Sequence, residues 1–470
     1  MSPIPNPALV NVLARSFLAG EPTVEQLIAR AYETLGRPWR WLPPLVRRYV
    51  ETLAGKPRPR HRDVVNFLLE DPGFQRACSK YLHDISITRW LSEPLQMQPI
   101  AAAADWDVPS IESAGALADW LLLEYGELDW FADLKGLGYR NSRSPLRHYH
   151  YRILAKPSGN IRLIEAPKPW LKKLQRQILT GILYKIPPHP AAHGFVKGRS
   201  IKTFIAPHVG QRVVLRMDLL DFFPSFAAAR IQTLFRVLGY PESVADLLGG
   251  ICTNATPLDV WKGDVWKADI WKDSAAIALD PVQLYEARAL YARPHLPQGA
   301  PASPALANVC TYRLDCRLTG LAQSVGAAYT RYADDLAFSG NEAFRKRAER
   351  FSTHVAAILL EEGFHVNHRK TRIMHQGVRQ YLAGLVANQR INVTRTGFDR
   401  LKATLTNCVR LGPASQNRAA HPRFRSHLEG RVAFVEMINP GKGIRLRTIF
   451  NRIQWPPPAS PSTPPHPAQC

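Results

Sequence analysis

The sequence predicts an α+β fold with a mostly helical N-terminal region. Residues 1–140 carry apolar side chains at helical spacing, whereas short β-branched and aromatic runs separated by turn signals begin near residue 149. Amphipathic helical stretches lie between these runs and after them. Such a mixture of strands and helices is typical of layered α+β domains.

The N-terminal region is predicted to be helical over three stretches. The first, "TVEQLIARAYETLG", begins at a threonine suited to an N-cap and ends at Gly36, a residue type that often follows a helix. The other two, "VVNFLLEDPGFQRACSKYL" and "ESAGALADWLLLEYGELDWFADL", repeat apolar residues with a helical period.

The central part of the chain is predicted to contain strands. Two β-type runs flank the turn signal "KPSGN" in "HYRILAKPSGNIRLIEAP". The run "RVVLRMDLLDFF" is typical of a buried strand, and "AAYTRYADDLAFSG" of two short strands around an acidic centre. An amphipathic helix is expected over "NEAFRKRAERFSTHVAAILLEEGF".

The charge balance predicts a polyanionic partner. The 470-residue chain has 61 Lys and Arg against 38 Asp and Glu, which gives a net charge of +23. Nucleic acid fits this charge better than a membrane surface, because no basic amphipathic helix or lipidation signal accompanies it. The first twenty residues lack the pattern of a secretory signal, and the six cysteines lack metal-finger spacing. We therefore expect a cytoplasmic protein that does not bind membranes.

Carboxylates at the ends of apolar runs indicate a metal site. Asp218 ends "RVVLRMD", and Asp334 and Asp335 lie between the two short strands. Carboxylates in such places are costly unless they are paired or bind a cation. Mg²⁺ prefers oxygen ligands and commonly shares them with substrate phosphates. Because neighbouring strand residues face opposite ways, a tight turn at 333–335 is needed to bring these carboxylates together.

These motifs, in their order, resemble those of reverse transcriptases. "RYADDLAFSG" resembles the YxDD box and "MDLLDFFPSF" the first palm motif. The match continues, over about residues 150–395, through "YRILAKPSGNIRLIEAP", "HGFVKGRSI", "LPQGAPASPALAN", "GFHVNHRKTRIM" and "QYLAGLVANQRINV". The segment "HLEGRVAFVEMINPGKGIRLRTIFNRIQW" resembles the thumb of bacterial retron-type enzymes.

The resemblance implies a right-hand polymerase architecture of fingers, a palm with an antiparallel sheet, and a helical thumb. We assign residues 1–140 to the N-terminal helical region, 141–395 to fingers and palm, and 396–455 to the thumb. The Pro-rich residues 456–470 are expected to be a disordered tail.

The resemblance also implies roles for the acidic residues. Asp218 and Asp334 would ligate two catalytic Mg²⁺ ions, or Mn²⁺, with Asp335 in support. Lys370 would act as the general acid for pyrophosphate; its alternative interpretation is a surface basic cluster.

Further residues are implied to bind the deoxynucleoside triphosphate. Arg162 and Lys156 would hold the triphosphate, and Gln298 would contact the nucleotide near its sugar. Phe223 would exclude a ribose 2′-OH, although one of Phe222 and Phe223 is expected to pack in the core. Gly384 would permit a close approach of the backbone to the primer.

As a retron-type enzyme, the protein would copy a structured non-coding RNA into DNA in antiphage defence. It would bind an RNA template and an RNA/DNA hybrid, and an effector protein is a further possible partner. Two alternatives remain open at this point. One is another defence-associated bacterial reverse transcriptase with an untemplated or different product, and the other is a catalytically silent RNA-binding scaffold.

Two signatures associated with recognition of the cognate RNA are altered. Retron enzymes often carry N-A-x-x-H where this chain has "FIAPH" (204–208), which retains only His208. They often show V-T-G where this chain has Leu382, Ala383 and Gly384.

Residues 259–273 repeat three pentads, "DVWKG DVWKA DIWKD". With a step of five residues, the three Trp side chains would not share one face of a helix, nor one face of a strand. We interpret the repeat as an inserted loop that either stacks on single-stranded nucleic acid or decorates the surface.

Overall fold

In the computed structural model of the protein, the described residues are 6–20, 22–53, 59–81, 84–90, 97–140, 147–155, 161–261 and 281–455. Lys156, most of the Trp repeat (262–273) and the tail 456–470 lie outside them.

Among the described residues, the strands lie between residues 149 and 393, and helices precede, separate and follow them. The helices are α1 (Pro7–Leu18), α2 (Val24–Leu35), α3 (Leu42–Thr52), α4 (His61–Glu70), α5 (Pro72–Lys80), α6 (Ala114–Leu121), α7 (Tyr125–Ala132), α8 (Leu137–Arg140), α9 (Pro169–Gly181), α10 (Ile201–Ile205), α11 (Ala228–Val237), α12 (Glu242–Cys252), α13 (Pro281–Tyr291), α14 (Ser303–Cys310), α15 (Tyr312–Ser324), α16 (Glu342–Arg345), α17 (Ala348–Glu361), α18 (Arg395–Leu411), α19 (Phe424–Ile438) and α20 (Pro440–Phe450). The strands are β1 (Tyr149–Ala155), β2 (Ile161–Pro167), β3 (Val213–Leu220), β4 (Ala328–Tyr332), β5 (Asp335–Gly340), β6 (His365–Val366), β7 (Arg372–His375), β8 (Tyr381–Leu382), β9 (Leu385–Val386) and β10 (Asn392–Val393).

The chain forms two compact units, each built from two separate stretches. The first unit comprises Met1–His189 and Asp221–Arg313, and the second comprises Pro190–Leu220 and Leu314–Cys470.

The first unit begins with helices α1 to α5, which share an apolar core that includes Phe17, Trp39 and Phe74. The predicted start and end of α2 are confirmed. Thr23 accepts a hydrogen bond from the Gln26 amide, and Gly36 adopts a left-handed φ of 72°.

The same unit contains the predicted hairpin of β1 and β2, which pair antiparallel from Tyr149↔Pro167 to Ala155↔Ile161. Trp261, from the first Trp pentad, ends a 3₁₀ turn (Leu258–Trp261) that packs against this hairpin's core. Its side chain is buried and its ring lies 5.8 Å from that of Tyr291. Our interpretation of the repeat as a surface loop is therefore wrong for Trp261, because its indole packs in the apolar core beside the hairpin.

The second unit is built on a five-stranded sheet with the order β4-β5-β3-β6, to which β7 adds by pairing with β3. All of these pairings are antiparallel. A small sheet of β8, β9 and β10 precedes helices α18 to α20, which pack around their own apolar core.

The predicted α+β class is confirmed, since helices accompany antiparallel sheets in both units. The domain boundaries drawn from the sequence stay predictions. In the described residues, no helix is both long enough and apolar enough to cross a bilayer.

Candidate active site

Strand β3 places Asp218 at the end of a buried apolar segment in the second unit. Val213, Val214 and Leu215 are fully buried, and the register pairs Asp218 directly with Asp335 on β5. Directly paired residues of antiparallel strands lie on the same face, so these two carboxylates emerge together.

The tight turn that the sequence required is present between β4 and β5. Ala333 adopts a left-handed φ of 56°, which reverses the chain within two residues. The Leu219 amide donates to the Asp334 carbonyl at 2.9 Å, so the backbone of Asp334 lies beside the end of β3. The structure thus pairs Asp335 with Asp218 and places the backbone of Asp334 beside them, while the metal-binding roles of the three residues stay predictions.

Asp335 is held by a residue that sequence reasoning missed. Arg216, two positions before Asp218, donates from Nε and Nη2 to the two Asp335 carboxylate oxygens at 2.7 and 2.8 Å. Burial raises the pKa of the Asp335 carboxyl, and the Arg216 guanidinium lowers it. The neighbouring charges of Asp334 and Asp218 raise it again, which brings the pKa to about 6.

Asp218 is held by Lys370, one of the predicted site residues. The Lys370 ammonium lies 2.9 and 3.0 Å from the two carboxylate oxygens of Asp218. The Asn367 side-chain amide donates to the same carboxylate at 3.3 Å, and the Asn367 backbone amide donates to the Asp218 carbonyl at 2.7 Å. Lys370 is 48% exposed whereas the Asp218 side chain is 6% exposed, so the ammonium reaches the carboxylate from the solvent side.

A fully buried ion pair supports the turn and was also missed. Arg331 donates to the carboxylate of Asp315 at 2.8 and 2.7 Å, and neither side chain is exposed. A third donor of Arg331 reaches the carbonyl of Ala333 at 3.2 Å. This pair therefore ties the left-handed residue of the turn to helix α15.

The segment after residue 190 packs directly on the same turn. The His193 amide donates to the Arg331 carbonyl at 2.7 Å. A Cβ on Gly194 would lie 2.7 Å from the backbone nitrogen of Ala333, so only glycine fits there. The motif "HGFVKGRSI" carries this signal in its glycine.

His208, the retained member of the altered signature, is inaccessible. Its ring nitrogens contact the hydroxyls of Ser339 at 2.6 Å and Thr330 at 2.7 Å, and the residue is fully buried. Burial lowers the pKa of the imidazole to about 3, with the charge of His193 acting in the same direction. Neutral His208 thus links β4 to β5 instead of facing solvent.

The second altered signature forms a hairpin turn. Ala383 and Gly384 connect β8 to β9 with φ values of 43° and 90°. A two-residue turn with both φ angles positive is type I′, which favours glycine or asparagine. The turn itself therefore favours Gly384, and the predicted contact of this residue with a primer stays a prediction.

Three of the predicted nucleotide-binding residues, Arg162, Gln298 and Phe223, lie in the first unit. Arg162 is exposed on β2, and Gln298 is half-buried in the segment after α13. The amide of Glu165 on β2 donates to the Gln298 carbonyl at 2.9 Å. Gly299 has a φ of 131°, and a Cβ there would lie 2.9 Å from the Glu165 carbonyl. Strand β2 thus carries Arg162 and fixes the backbone of Gln298.

Beneath this contact lies a second buried ion pair. The Glu165 carboxylate contacts Nε2 of His295 at 2.9 Å, and neither side chain is exposed. Asn254 and Thr256 also donate to this carboxylate, at 2.7 and 3.0 Å. Sequence reasoning missed the pair, although His295 directly precedes the "LPQGAP" motif.

The two phenylalanines of "DFFPSF" separate as expected. Phe222 is 5% exposed and its ring packs 5.1 Å from that of Phe226, whereas Phe223 is half-buried. Phe222 is the core residue, and the gating role of Phe223 stays a prediction.

Across the described ranges, no group of three or more His, Cys, Asp or Glu side chains is placed to hold a metal ion. The residues at the strand ends nevertheless fit a hard divalent cation, because their donors are carboxylate oxygens. The ammonium of Lys370 supplies positive charge to both oxygens of Asp218.

Comparison with known proteins agrees with this geometry. The family described as "Reverse transcriptase (RNA-dependent DNA polymerase)" matches residues 154–399. Retron Mx65 reverse transcriptase of Myxococcus xanthus is 41% identical over 313 residues, which cover 67% of this chain and 66% of the relative. Retron Mx162 reverse transcriptase of the same species is 34% identical over 365 residues, covering 75% and 69%.

Retron Ec86 reverse transcriptase of Escherichia coli is 29% identical over 311 residues, covering 65% of this chain and 82% of the relative. The chain thus spans about two thirds of the length of the two Myxococcus relatives. With the motifs in order and Asp218 paired with Asp335, the chain belongs to the reverse transcriptase family and, within it, to the bacterial retron-type enzymes.

Proposed function

We propose that the protein is an RNA-directed DNA polymerase that copies a structured non-coding RNA into DNA by two-metal nucleotidyl transfer. The observation that carries the proposal is the pairing of Asp218 on β3 with Asp335 on β5, with the backbone of Asp334 beside the end of β3. Family membership supports the choice of template and product.

In this proposal Asp218 and Asp334 hold the divalent cations, Mg²⁺ or Mn²⁺. Such ions would stabilise the negative charge that develops on the reacting phosphate. Arg216 keeps Asp335 ionised and oriented through two hydrogen bonds, so Asp335 acts in support. Lys370 contacts Asp218 and is 48% exposed, which leaves its side chain free to reach a leaving pyrophosphate as the general acid.

We propose that Arg162 and Gln298, both in the first unit, bind the deoxynucleoside triphosphate. Arg162 is exposed on β2, and its planar guanidinium suits the oxygens of a triphosphate. Gln298 lies on the segment that β2 fixes, which supports a contact with the nucleotide near its sugar. We further propose that residues 141–395 form the fingers and palm, 396–455 the thumb, and 1–140 a helical extension.

The decisive experiment removes one carboxylate without changing its size. Asp334→Asn should abolish Mg²⁺-dependent deoxynucleotide incorporation on an RNA template while the melting temperature stays within a few degrees. The matched control is Asp105→Asn, at an exposed carboxylate of the first unit, and it should leave incorporation unchanged. Incorporation by Asp334→Asn at the level of the control would overturn the assignment and favour an RNA-binding scaffold.

The sugar gate is tested by comparing the two neighbouring phenylalanines. Phe223→Ala should admit ribonucleotides with little loss of stability, because the ring is half-buried. Phe222→Ala should lower the free energy of unfolding by about 3 kcal/mol and leave the sugar preference intact. Unchanged sugar selectivity in Phe223→Ala would reject the gate.

The retron product is tested by sequencing the nucleic acid that copurifies with the protein. An RNA covalently joined to DNA from one locus would support copying of a cognate non-coding RNA. Diverse or homopolymeric DNA would instead indicate a defence-associated enzyme with a different product. A role in antiphage defence further predicts that Asp334→Asn removes protection in cells.

A further inference from the structure

Helix α9 of the first unit has one exposed face that the proposed chemistry does not use. At about 100° per residue, its exposed side chains fall within an arc of about 160°. This "α9 face" consists of Trp170, Lys172, Lys173 and Arg176, all of which are exposed. The opposite side of the helix buries Leu171, Leu174, Gln175 and Ile178.

Helix α6 covers the C-terminal end of α9 and leaves Trp170, in its first turn, exposed. The Gln177 side chain donates to the backbone carbonyl of Trp120 on α6. A Cβ on Gly181 would lie 2.6 Å from the Trp120 ring, so α6 packs tightly against the end of the helix. Trp170 is 67% exposed even though the helix around it is well packed.

The charge of the α9 face is of one sign. Residues 168–185 contain Lys168, Lys172, Lys173, Arg176 and Lys185, and no Asp or Glu. Lys185 pairs with Asp107, and the structure records no ion pair between the cations of the α9 face and any described carboxylate. The Lys173 ammonium lies 5.4 Å from the centre of the Trp170 ring. A flat aromatic surface is thus bordered by cations that pair with none of the described carboxylates.

We propose that the α9 face binds single-stranded RNA, with an unpaired base stacked on Trp170 and the backbone phosphates on Lys172, Lys173 and Arg176. An aromatic ring can stack on any base, and flanking cations neutralise the phosphates on either side of it. A-form duplex offers no free base face, so the surface discriminates in favour of single strands. Strand β2, which carries Arg162, leads directly into α9, so the RNA would run close to the nucleotide-binding strand.

The proposal rests on the family's use of RNA, but its test does not depend on catalysis. Binding of a fluorescein-labelled single-stranded RNA of about 12 nucleotides is measured by anisotropy, without nucleotides or divalent metal. Trp170→Ala should weaken this binding about tenfold, since stacking of one base on an aromatic ring contributes about 1–3 kcal/mol and each 1.4 kcal/mol is about tenfold in affinity. The affinity for a duplex of the same sequence should change less than twofold.

The matched control is Trp90→Ala, which removes another exposed tryptophan, 53% exposed, that lies outside α9. This variant should bind the RNA like the parent protein. Lys172→Gln and Arg176→Gln should each reduce the slope of log K against log salt by about 0.7, whereas Lys80→Gln at the end of α5 should not. Ultraviolet crosslinking should attach the RNA to the peptide that carries Trp170.

Equal losses in Trp170→Ala and Trp90→Ala, or crosslinks that avoid α9, would overturn the proposal. So would a Trp170→Ala variant that keeps its RNA affinity but changes its sedimentation, because the face would then bind a second copy of the chain. Failure of Asp334→Asn to abolish incorporation would count against the polymerase and leave this binding result unaffected.

Discussion

Two short backbone segments, one in each unit, rest on fully buried ion pairs, and the pairs differ in kind. In the second unit, Arg331 and Asp315 hold the turn at Ala333. In the first unit, Glu165 and His295 lie beneath the contact between β2 and Gln298. Arginine stays charged at any physiological pH, whereas histidine can lose its proton.

The contacts of His295 explain why the pair that it forms with Glu165 is charged. Nδ1 of His295 faces the carbonyl of Arg293 at 2.8 Å and Nε2 faces the Glu165 carboxylate, so both ring nitrogens donate. Burial lowers the pKa of this imidazole, but the charge and hydrogen bond of Glu165 raise it more, and the resulting pKa lies above the ordinary value. The turn is therefore fixed by a permanent charge, and the Gln298 segment by one that depends on pH.

The two segments also differ in the residue that adopts a positive φ angle. The turn places an alanine at a left-handed φ of 56°, while the Gln298 segment places Gly299 at 131° against a neighbouring carbonyl. An alanine tolerates the first conformation at modest cost, but the second is accessible essentially to glycine alone.

The largest expected effect comes from breaking the arginine pair. Asp315→Ala leaves the Arg331 guanidinium buried without its carboxylate, which should lower the free energy of unfolding by about 3–5 kcal/mol. The control, Asp399→Ala, removes a 60% exposed carboxylate that lies 3.7 Å from Arg395 and should cost less than about 1 kcal/mol. Chemical denaturation measures the free energy of unfolding of both variants. Equal losses would show that burial does not increase the contribution of the Arg331–Asp315 pair.

A smaller, pH-dependent effect is expected for the histidine pair. Glu165→Gln should lower the free energy of unfolding by about 2 kcal/mol at pH 6, because a hydrogen bond between charged partners is lost. A group whose pKa is raised on folding stabilises the fold below its unfolded pKa of about 6.5 and loses that effect as the pH rises through its folded value.

The stability gap between the parent protein and Glu165→Gln should therefore narrow from pH 6 toward alkaline pH. The gap for Asp315→Ala should stay constant over the same range, since Arg331 does not titrate there. Thermal melts at several pH values measure both stability differences. A difference between the parent protein and Glu165→Gln that widens as the pH rises would contradict a charged His295.

Gly299→Ala should lower the free energy of unfolding by a comparable amount, about 1–3 kcal/mol. The new Cβ would meet the Glu165 carbonyl, and the backbone conformation is strained for alanine. Incorporation should fall with it, as the Gln298 carbonyl would move off β2. Gly320→Ala is the control: it lies within α15 with nothing within 4 Å of a Cβ. That change should be neutral or stabilising by up to about 1 kcal/mol.

The smallest effect is expected for Ala333→Gly in the turn. Glycine relieves the left-handed strain but gains freedom in the unfolded chain, so the two effects should nearly cancel to within about 0.5 kcal/mol. The melting temperature measures this directly. A loss as large as that of Gly299→Ala would show that the side chain of Ala333, and not its backbone conformation, stabilises the turn.

Much of this arrangement is already present in the sequence. Apolar runs and turn residues are local signals, so they suffice to predict the α+β class, the hairpin of β1 and β2, and the two short strands around Asp334 and Asp335. The need for a tight turn at 333–335 follows from strand geometry alone. The family motifs add the candidate residues but leave Lys156 outside the part of the chain that the structure describes.

The partners of the site residues were decided only by the tertiary structure. Arg216 lies 119 residues from Asp335 in the chain, Asn367 149 residues from Asp218, and Glu165 130 residues from His295. No local pattern links residues so far apart, because a buried charge requires only that some partner reach it once the chain has folded. The sequence by itself determined where the carboxylates would be, and the fold decided which cations, amides and hydroxyls hold them in place.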